Sequence, residues 1–180
     1  MTDRALVERL AAGDHSALGD LYDRHGRSVY ALACRIVTDR ADAEDVVQDV
    51  FTQAWRQVSR YDPVRATVIG WLLMMTRTRA IDRVRARTAR PVVFQDAVPD
   101  VADPLAGQEA MAISSEAANR VTAALLELSE TERKAIELAY YEGLTQADIA
   151  LRLREPLGTV KSRMRSALQK LRVALQGEPR

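Results

Sequence analysis

The sequence predicts an all-α protein of two small helical domains joined by an acidic flexible linker, and three observations predict it. Apolar residues recur at spacings of three and four through most of the chain, while the alternation of a half-buried strand is missing. The 180 residues allow one medium domain or two small ones. From Arg90 to about Ser114 the pattern lapses: Pro91, Pro99, Pro104 and Gly107 stand among Asp96, Asp100, Asp103 and Glu109, with no positive charge after Arg90. Such a stretch has too little apolar surface to offset the entropy of ordering, which predicts extended or disordered chain. The expected limits are residues 1–90 for the first domain, 91–114 for the linker and 115–177 for the second domain.

In the first domain, Leu6, Val7, Leu10 and Ala11 mark a short helix stopped by Gly13. Asp14 can cap a second helix with the stripe Ala17, Leu18, Leu21 and Tyr22, continuing through Gly26, with room for a kink, to Val37. Asp39 can cap a third, which carries Ala43, Val46, Val47, Val50, Phe51, Ala54, Trp55 and Val58 until Tyr61-Asp62-Pro63 breaks it. The fourth turns Ile69, Leu72, Leu73, Thr76, Ala80, Ile81 and Val84 inward and arginines elsewhere.

Periodicity resumes near Ser115 with Val121, Leu125 and Leu128. Ser129-Glu130-Thr131-Glu132 and Thr145-Gln146-Ala147-Asp148 both have the form of capping boxes, which place helix starts there. Gly143 ends the helix between them, expected to bury Ile136, Leu138 and Ala139. The next helix turns Ile149, Ala150 and Leu153 inward, and after a tight turn Pro156 suits the first position of a last helix lined by Val160, Met164, Leu168 and Leu171. A small Ala150 where two helices cross, with Val160 ten residues later, matches helix-turn-helix packing. The turn of that motif commonly needs a left-handed glycine, and Arg154 stands there, at a cost of roughly 1–2 kcal/mol.

The net charge of +1 conceals strong segregation. Residues 71–90 hold six arginines against Asp82, residues 152–172 hold seven basic side chains against Glu155, and residues 36–50 hold five acids against Arg40. Two basic blocks and two acidic stretches suggest one surface for an anionic polymer and another for a basic partner. Ordinary solvated helix faces would read the same way. Cys34 is the only cysteine, so no internal disulfide or cysteine metal site is possible, and its place among Val29, Tyr30, Ala33, Ile36 and Val37 predicts a core thiol. His15 and His25 lack the spacing of metal ligands. No metal or cofactor is expected. No leader precedes the first amphipathic segment and no apolar run approaches ~20 residues, so a cytoplasmic protein is expected.

Two sets of side chains are candidates for binding. At the start of the last helix, Thr159, Lys161, Ser162, Arg163 and Arg165 are types that reach base edges or phosphates in a major groove. On the third helix, Asp45, Gln48, Asp49 and Thr52 share one face, opposite Val46, Val50 and Trp55. A carboxylate-and-amide face suits docking on arginine-rich helices, although a solvated face would also carry it.

The run Ala43-Glu-Asp-Val-Val-Gln-Asp-Val-Phe-Thr-Gln-Ala-Trp55 resembles region 2.2 of bacterial RNA polymerase sigma factors. Trp71-Leu72 followed by Arg79-Ala-Ile-Asp-Arg-Val-Arg85 resembles regions 2.3 and 2.4, and Gly143–Ala150 with Gly158–Arg165 resembles region 4.2. With only these two domains, the chain resembles an extracytoplasmic function (ECF) sigma factor of the sigma-70 family. The stretch from Tyr61-Asp62-Pro63 to Gly70-Trp71-Leu72 is similar to the SigK-like branch.

The resemblance implies a sigma region 2 bundle followed by a sigma region 4 helix-turn-helix. It implies that Asp45, Gln48, Asp49 and Thr52 bind the β′ clamp helices of core RNA polymerase, with the β subunit also a partner and Phe51 and Trp55 mainly structural. It implies that Arg77, Thr78, Arg79, Arg83 and Arg85 bind the −10 element and its unpaired strand, Thr78 standing where many relatives carry Asn. Thr159, Lys161, Ser162, Arg163 and Arg165 would read the −35 element, the linker would thread the polymerase channel, and an anti-sigma factor would cover both domains in the off state. Trp71 is expected to pack within its own domain.

Two other readings remain at this point. A self-sufficient regulator could use the same helix-turn-helix as a dimer on a palindrome, leaving the Asp45/Gln48 face without a role. An enzyme is disfavoured, since no nucleophile–base set, phosphate-binding glycine loop or paired ligand set can be assembled and no small-molecule substrate is suggested.

Overall fold

Local hydrogen bonding sets where the helices begin. In a computed structural model that describes residues 1–88 and 115–176, every described element is helical. The chain divides into two compact units, Met1–Ala110 and Met111–Arg180. The expected linker, residues 91–114, and residue 177 lie outside the described residues.

The first unit begins with α1 (Asp3–Ala11), capped by the Thr2 hydroxyl and ended at Gly13, whose φ of +91° suits a residue without Cβ. Helix α2 (Ser16–Ile36) runs on through Gly26. Asp14 does not cap it in the expected way: its carboxylate accepts from the Ser16 amide and hydroxyl, and His15 takes the position before the helix. Helix α3 (Arg40–Gln57) starts as expected, with the Asp39 carboxylate accepting from the amides of Ala41 at 2.8 Å and Asp42 at 3.3 Å. It closes in a 3₁₀ turn at Val58–Arg60, and the Tyr61 hydroxyl then donates to the Ala66 carbonyl across the break. Helix α4 (Val68–Thr88) follows.

Leu6, Leu21, Val29, Val46, Val50 and Leu72 fill the centre of this unit, one or more from each helix. Each such side chain contributes about 1.5–3 kcal/mol of burial. Thr76 is also fully buried, and its hydroxyl donates back to the Leu72 carbonyl at 2.8 Å, so no polar group is stranded. Val68 and Met75 join the α4 stripe, whereas Ile69, Leu73 and Val84 are only half-buried.

Several expectations fail here: Ala11 of α1 is exposed, and Tyr22 of the α2 stripe is 52% exposed. Cys34 is exposed, because Ala33, Ile36 and Val37 take the core and the next residue on a helix lies about 100° round. Trp55 is 42% exposed rather than inward, resting edge-on against the His15 ring with centroids 5.4 Å apart.

The second unit holds α5 (Ser115–Leu126), α6 (Glu130–Tyr141), α7 (Gln146–Leu153) and α8 (Leu157–Gln176). Both capping boxes form: Ser129 with Glu132 opens α6, and Thr145 with Asp148 opens α7. Gly143, at φ +64°, turns the chain out of α6. Leu138, Ile149, Ala150 and Val160 form a shared core, with Ala139, Leu144, Leu153 and Met164 packed against it. Ala150 sits at the crossing as the motif requires. Arg154 adopts the left-handed conformation (φ 54°, ψ 44°) usually left to glycine. Pro156 stands one residue before α8, its carbonyl accepting from Val160 N–H at 3.2 Å.

Two more apolar residues are displaced from the core. Val121 is 40% and Leu168 56% exposed, while the smaller Ala124 and Ala167 take the buried positions. Ala167 lies seven residues after Val160, on the same stripe.

Candidate nucleic-acid interface

Charge sorts by helix in the first unit. Asp45, Gln48 and Asp49 lie exposed on α3 and Thr52 partly so, while Val46 and Val50 of the same helix are buried. Facing this helix, α4 supplies the basic side chains. Arg79 and Arg85 are exposed, and Arg77 and Arg83 partly so. Thr78 is exposed, with its hydroxyl donating to the Met74 carbonyl at 3.0 Å.

Cross-helix contacts join the two sets. Arg83 Nε donates to Asp42 Oδ1 at 2.9 Å, and its Nη2 pairs with Asp45. Arg87 reaches Asp42 at 2.5 Å and Asp39 at 3.8 Å, while Arg79 Nε donates to Gln53 Oε1 at 2.8 Å. Partners descend α4 as they climb α3, so the helices run antiparallel. Asp45 and Arg83, expected to serve different ligands, therefore share one ion pair. Hydrogen bonds from Arg83 to Asp45 and then Asp42 hold its guanidinium proton more firmly than usual.

Asp42, which no sequence motif singles out, is the buried hinge of this network, with both arginines on its carboxylate. The signal that could have found it is its place three residues before Asp45 on the same helix face. Trp71 packs within the unit as expected, its ring 5.2 Å from that of Tyr61.

In the second unit, Lys161, Ser162 and Arg165 are exposed over the first turns of α8, and Thr159 and Arg163 are partly exposed. The Ser162 hydroxyl donates to the Thr159 carbonyl at 2.9 Å. The free amides of a helix N-terminus add partial positive charge, which favours anions at that end. Arg163 is paired with Glu155 of the turn, another residue that sequence reasoning used only as a counter-charge.

Glu132 fixes how α8 lies on α6. Its carboxylate, buried at 6% exposure, accepts from Ser166 and Lys170 of α8, each at 2.7 Å, and from the Ser129 amide at 2.9 Å. Lys170 first, then Ser166 and Ser129, hold its pKa down at about 2. Among the described residues, no cluster of His, Cys, Asp and Glu could hold a metal ion, and no helix is long and apolar enough to cross a membrane.

Residues 21–90 match the family model for Sigma-70 region 2, and residues 124–173 match that for Sigma-70 region 4. The ECF RNA polymerase sigma factor SigK of Mycobacterium bovis is 38% identical over 174 residues, spanning 95% of this chain and 92% of its own length. The chain belongs to the ECF sigma factors. A second relative, the SigK of Mycolicibacterium vanbaalenii, is 36% identical over 172 residues, covering 95% of this sigma factor and 88% of the relative. Among solved structures, Rhodobacter sphaeroides SigE in complex with the anti-sigma ChrR matches at 26% identity and a TM-score of 0.48, covering 94% of this chain and 96% of that one.

As a sigma factor the protein binds core RNA polymerase and promoter DNA and directs transcription initiation. The matched regions fall one in each compact unit.

Proposed function

We propose that the two units read two separate promoter elements while the outer face of α3 docks on polymerase. Asp45, Gln48, Asp49 and Thr52 would meet the β′ clamp helices, Arg77, Thr78, Arg79, Arg83 and Arg85 would hold the −10 element, and Thr159, Lys161, Ser162, Arg163 and Arg165 would read the −35 element. In domain terms, residues 1–90 serve core and −10 binding, 91–114 link, and 115–177 serve −35 binding.

The observation that carries this reading is the sorting of charge by helix within each unit. An exposed carboxylate-and-amide stripe occupies α3, and basic side chains occupy α4 and the start of α8. Acids on one helix suit basic protein helices, and arginines such as Arg79, whose α3 partner Gln53 is neutral, release counterions from DNA phosphates. Arg83, already paired with Asp42 and Asp45, contributes donors more than charge. The protein acts in the cytoplasm by binding alone, without a cofactor or a chemical step of its own. An anti-sigma factor covering both units holds it off.

Core pull-down tests the docking face. Asp45→Ala with Gln48→Ala should lower retention by core at least tenfold, the loss of a few charge-assisted contacts. Retention equal to wild type would remove α3 from the interface.

A further inference from the structure

Arg154 carries a strained backbone in a place where glycine is cheaper, and what that conformation fixes is the next residue. The Arg154 amide donates to Leu151 O at 3.2 Å and the Glu155 amide to Ala150 O at 3.0 Å. These crossed bonds form a Schellman motif, in which the residue at Glu155's place usually lays an apolar side chain over the last helical turn. A carboxylate stands there instead. Pro156 disfavours helical backbone at Glu155, so its main chain is constrained from both sides.

From that fixed point the Glu155 carboxylate meets Arg163, two turns into α8, in an ion pair whose side chains are only 28% and 26% exposed. Long helical side chains lean toward the N-terminus, which brings the Arg163 guanidinium back over the turns that carry Thr159 and Ser162. Lys161 and Arg165, by contrast, lie exposed.

We propose that Glu155 is a positioning residue for promoter recognition: it holds the Arg163 guanidinium ready for a base edge and withdraws it from the phosphates. A guanidinium has five N–H donors, and the pair with Glu155 engages Nη1, leaving others for the two acceptors of a guanine edge. Its charge is already neutralised by Glu155, so little counterion release is gained from a phosphate contact. Arg163 therefore discriminates between bases, and Lys161 and Arg165 supply the non-specific grip. This inference rests on the reading of α8 as the −35 reader.

The test uses holoenzyme assembled from core polymerase and the full chain, as wild type, Glu155→Gln, Arg163→Ala and the double variant. Each is measured on promoters with every −35 base pair varied in turn, and on promoterless DNA across a salt series. Glu155→Gln should cut discrimination about tenfold at the base pair that Arg163→Ala also relaxes. It should also tighten binding to promoterless DNA and steepen the log–log salt slope by about one. In the Arg163→Ala background it should change neither.

Unchanged discrimination in Glu155→Gln, a loss that persists without Arg163, or a loss spread evenly over all −35 positions, as a misfolded turn would give, each overturns the proposal. A triple variant, Lys161→Ala with Arg163→Ala and Arg165→Ala, separates the two levels. If that variant keeps full −35 dependence, the reading of α8 falls and the proposal with it. If it loses that dependence while Glu155→Gln changes nothing, only the role of Glu155 falls.

Discussion

The two units of this sigma factor reach ordered helices by different means. The first builds from long helices, two of 21 residues and one of 18, whose inward stripes supply Leu21, Val29, Val46, Val50 and Leu72 to one core. The second includes α7 of only eight residues, too short to stand on helix propensity. It relies on devices at helix ends: two capping boxes, a left-handed turn at Arg154, and the buried Glu132 tying α6 to α8. A long helix can leave its termini to water. A helix of two turns consists largely of termini, so every cap there contributes to how α8 is positioned.

The largest expected effect tests the core side of this contrast. Leu72→Ala should cost about 2–5 kcal/mol in urea unfolding, with the loss read in the amide-exchange protection of α2 and α4. A cost below about 1 kcal/mol would mean that the first unit leans on its α3–α4 ion pairs more than on burial.

The next effect concerns Glu132. Its folded pKa of about 2 lies below the ordinary 4.5, so its stabilisation is present above pH 4.5 and is lost as pH falls toward 2. Glu132→Gln should therefore destabilise the second unit at neutral pH, and the gap to wild type should close across that window. A gap independent of pH would show that the carboxylate charge does not hold α8.

Smaller still are the caps. Thr145→Ala should cost about 0.5–2 kcal/mol, and Asp39→Ala at the start of the longer α3 should fall at the low end of that range. Equal costs would break the comparison between short and long helices. The smallest change is a gain: Arg154→Gly should relieve up to about 1 kcal/mol of left-handed strain, seen as a raised midpoint in urea.

What could be read from the chain and what could not follows the range of the forces involved. Helix starts at Asp39, Ser129 and Thr145 were legible because a cap and its amides lie within three residues of each other. The misfit of Arg154 was legible for the same reason. Cys34, Trp55, Val121 and Leu168 were misplaced because each flanks an apolar stripe, and only the packing of a neighbouring helix decides which flank is covered. Alanines such as Ala167 carry little hydrophobic signal and yet fill the tightest places.

The proposed binding surface shows the same division. Its residue types and faces could be named from sequence and family resemblance, but the links among them could not. Arg83 meets Asp42 and Asp45 across 41 and 38 residues, through the antiparallel packing of α3 and α4. Glu155 and Arg163 are eight residues apart, and their pairing depends on a turn geometry that residue identity alone does not display.

The most direct measurement of the division of labour between the units is promoter selection by core polymerase and this chain from a library of random fragments. The expected result is initiation at sites with two separated elements. Lys161→Ala with Arg163→Ala and Arg165→Ala should erase selection of the upstream element and leave the downstream one intact. Enrichment of a single element, or loss of both elements together in that variant, would contradict the assignment of one promoter element to each unit.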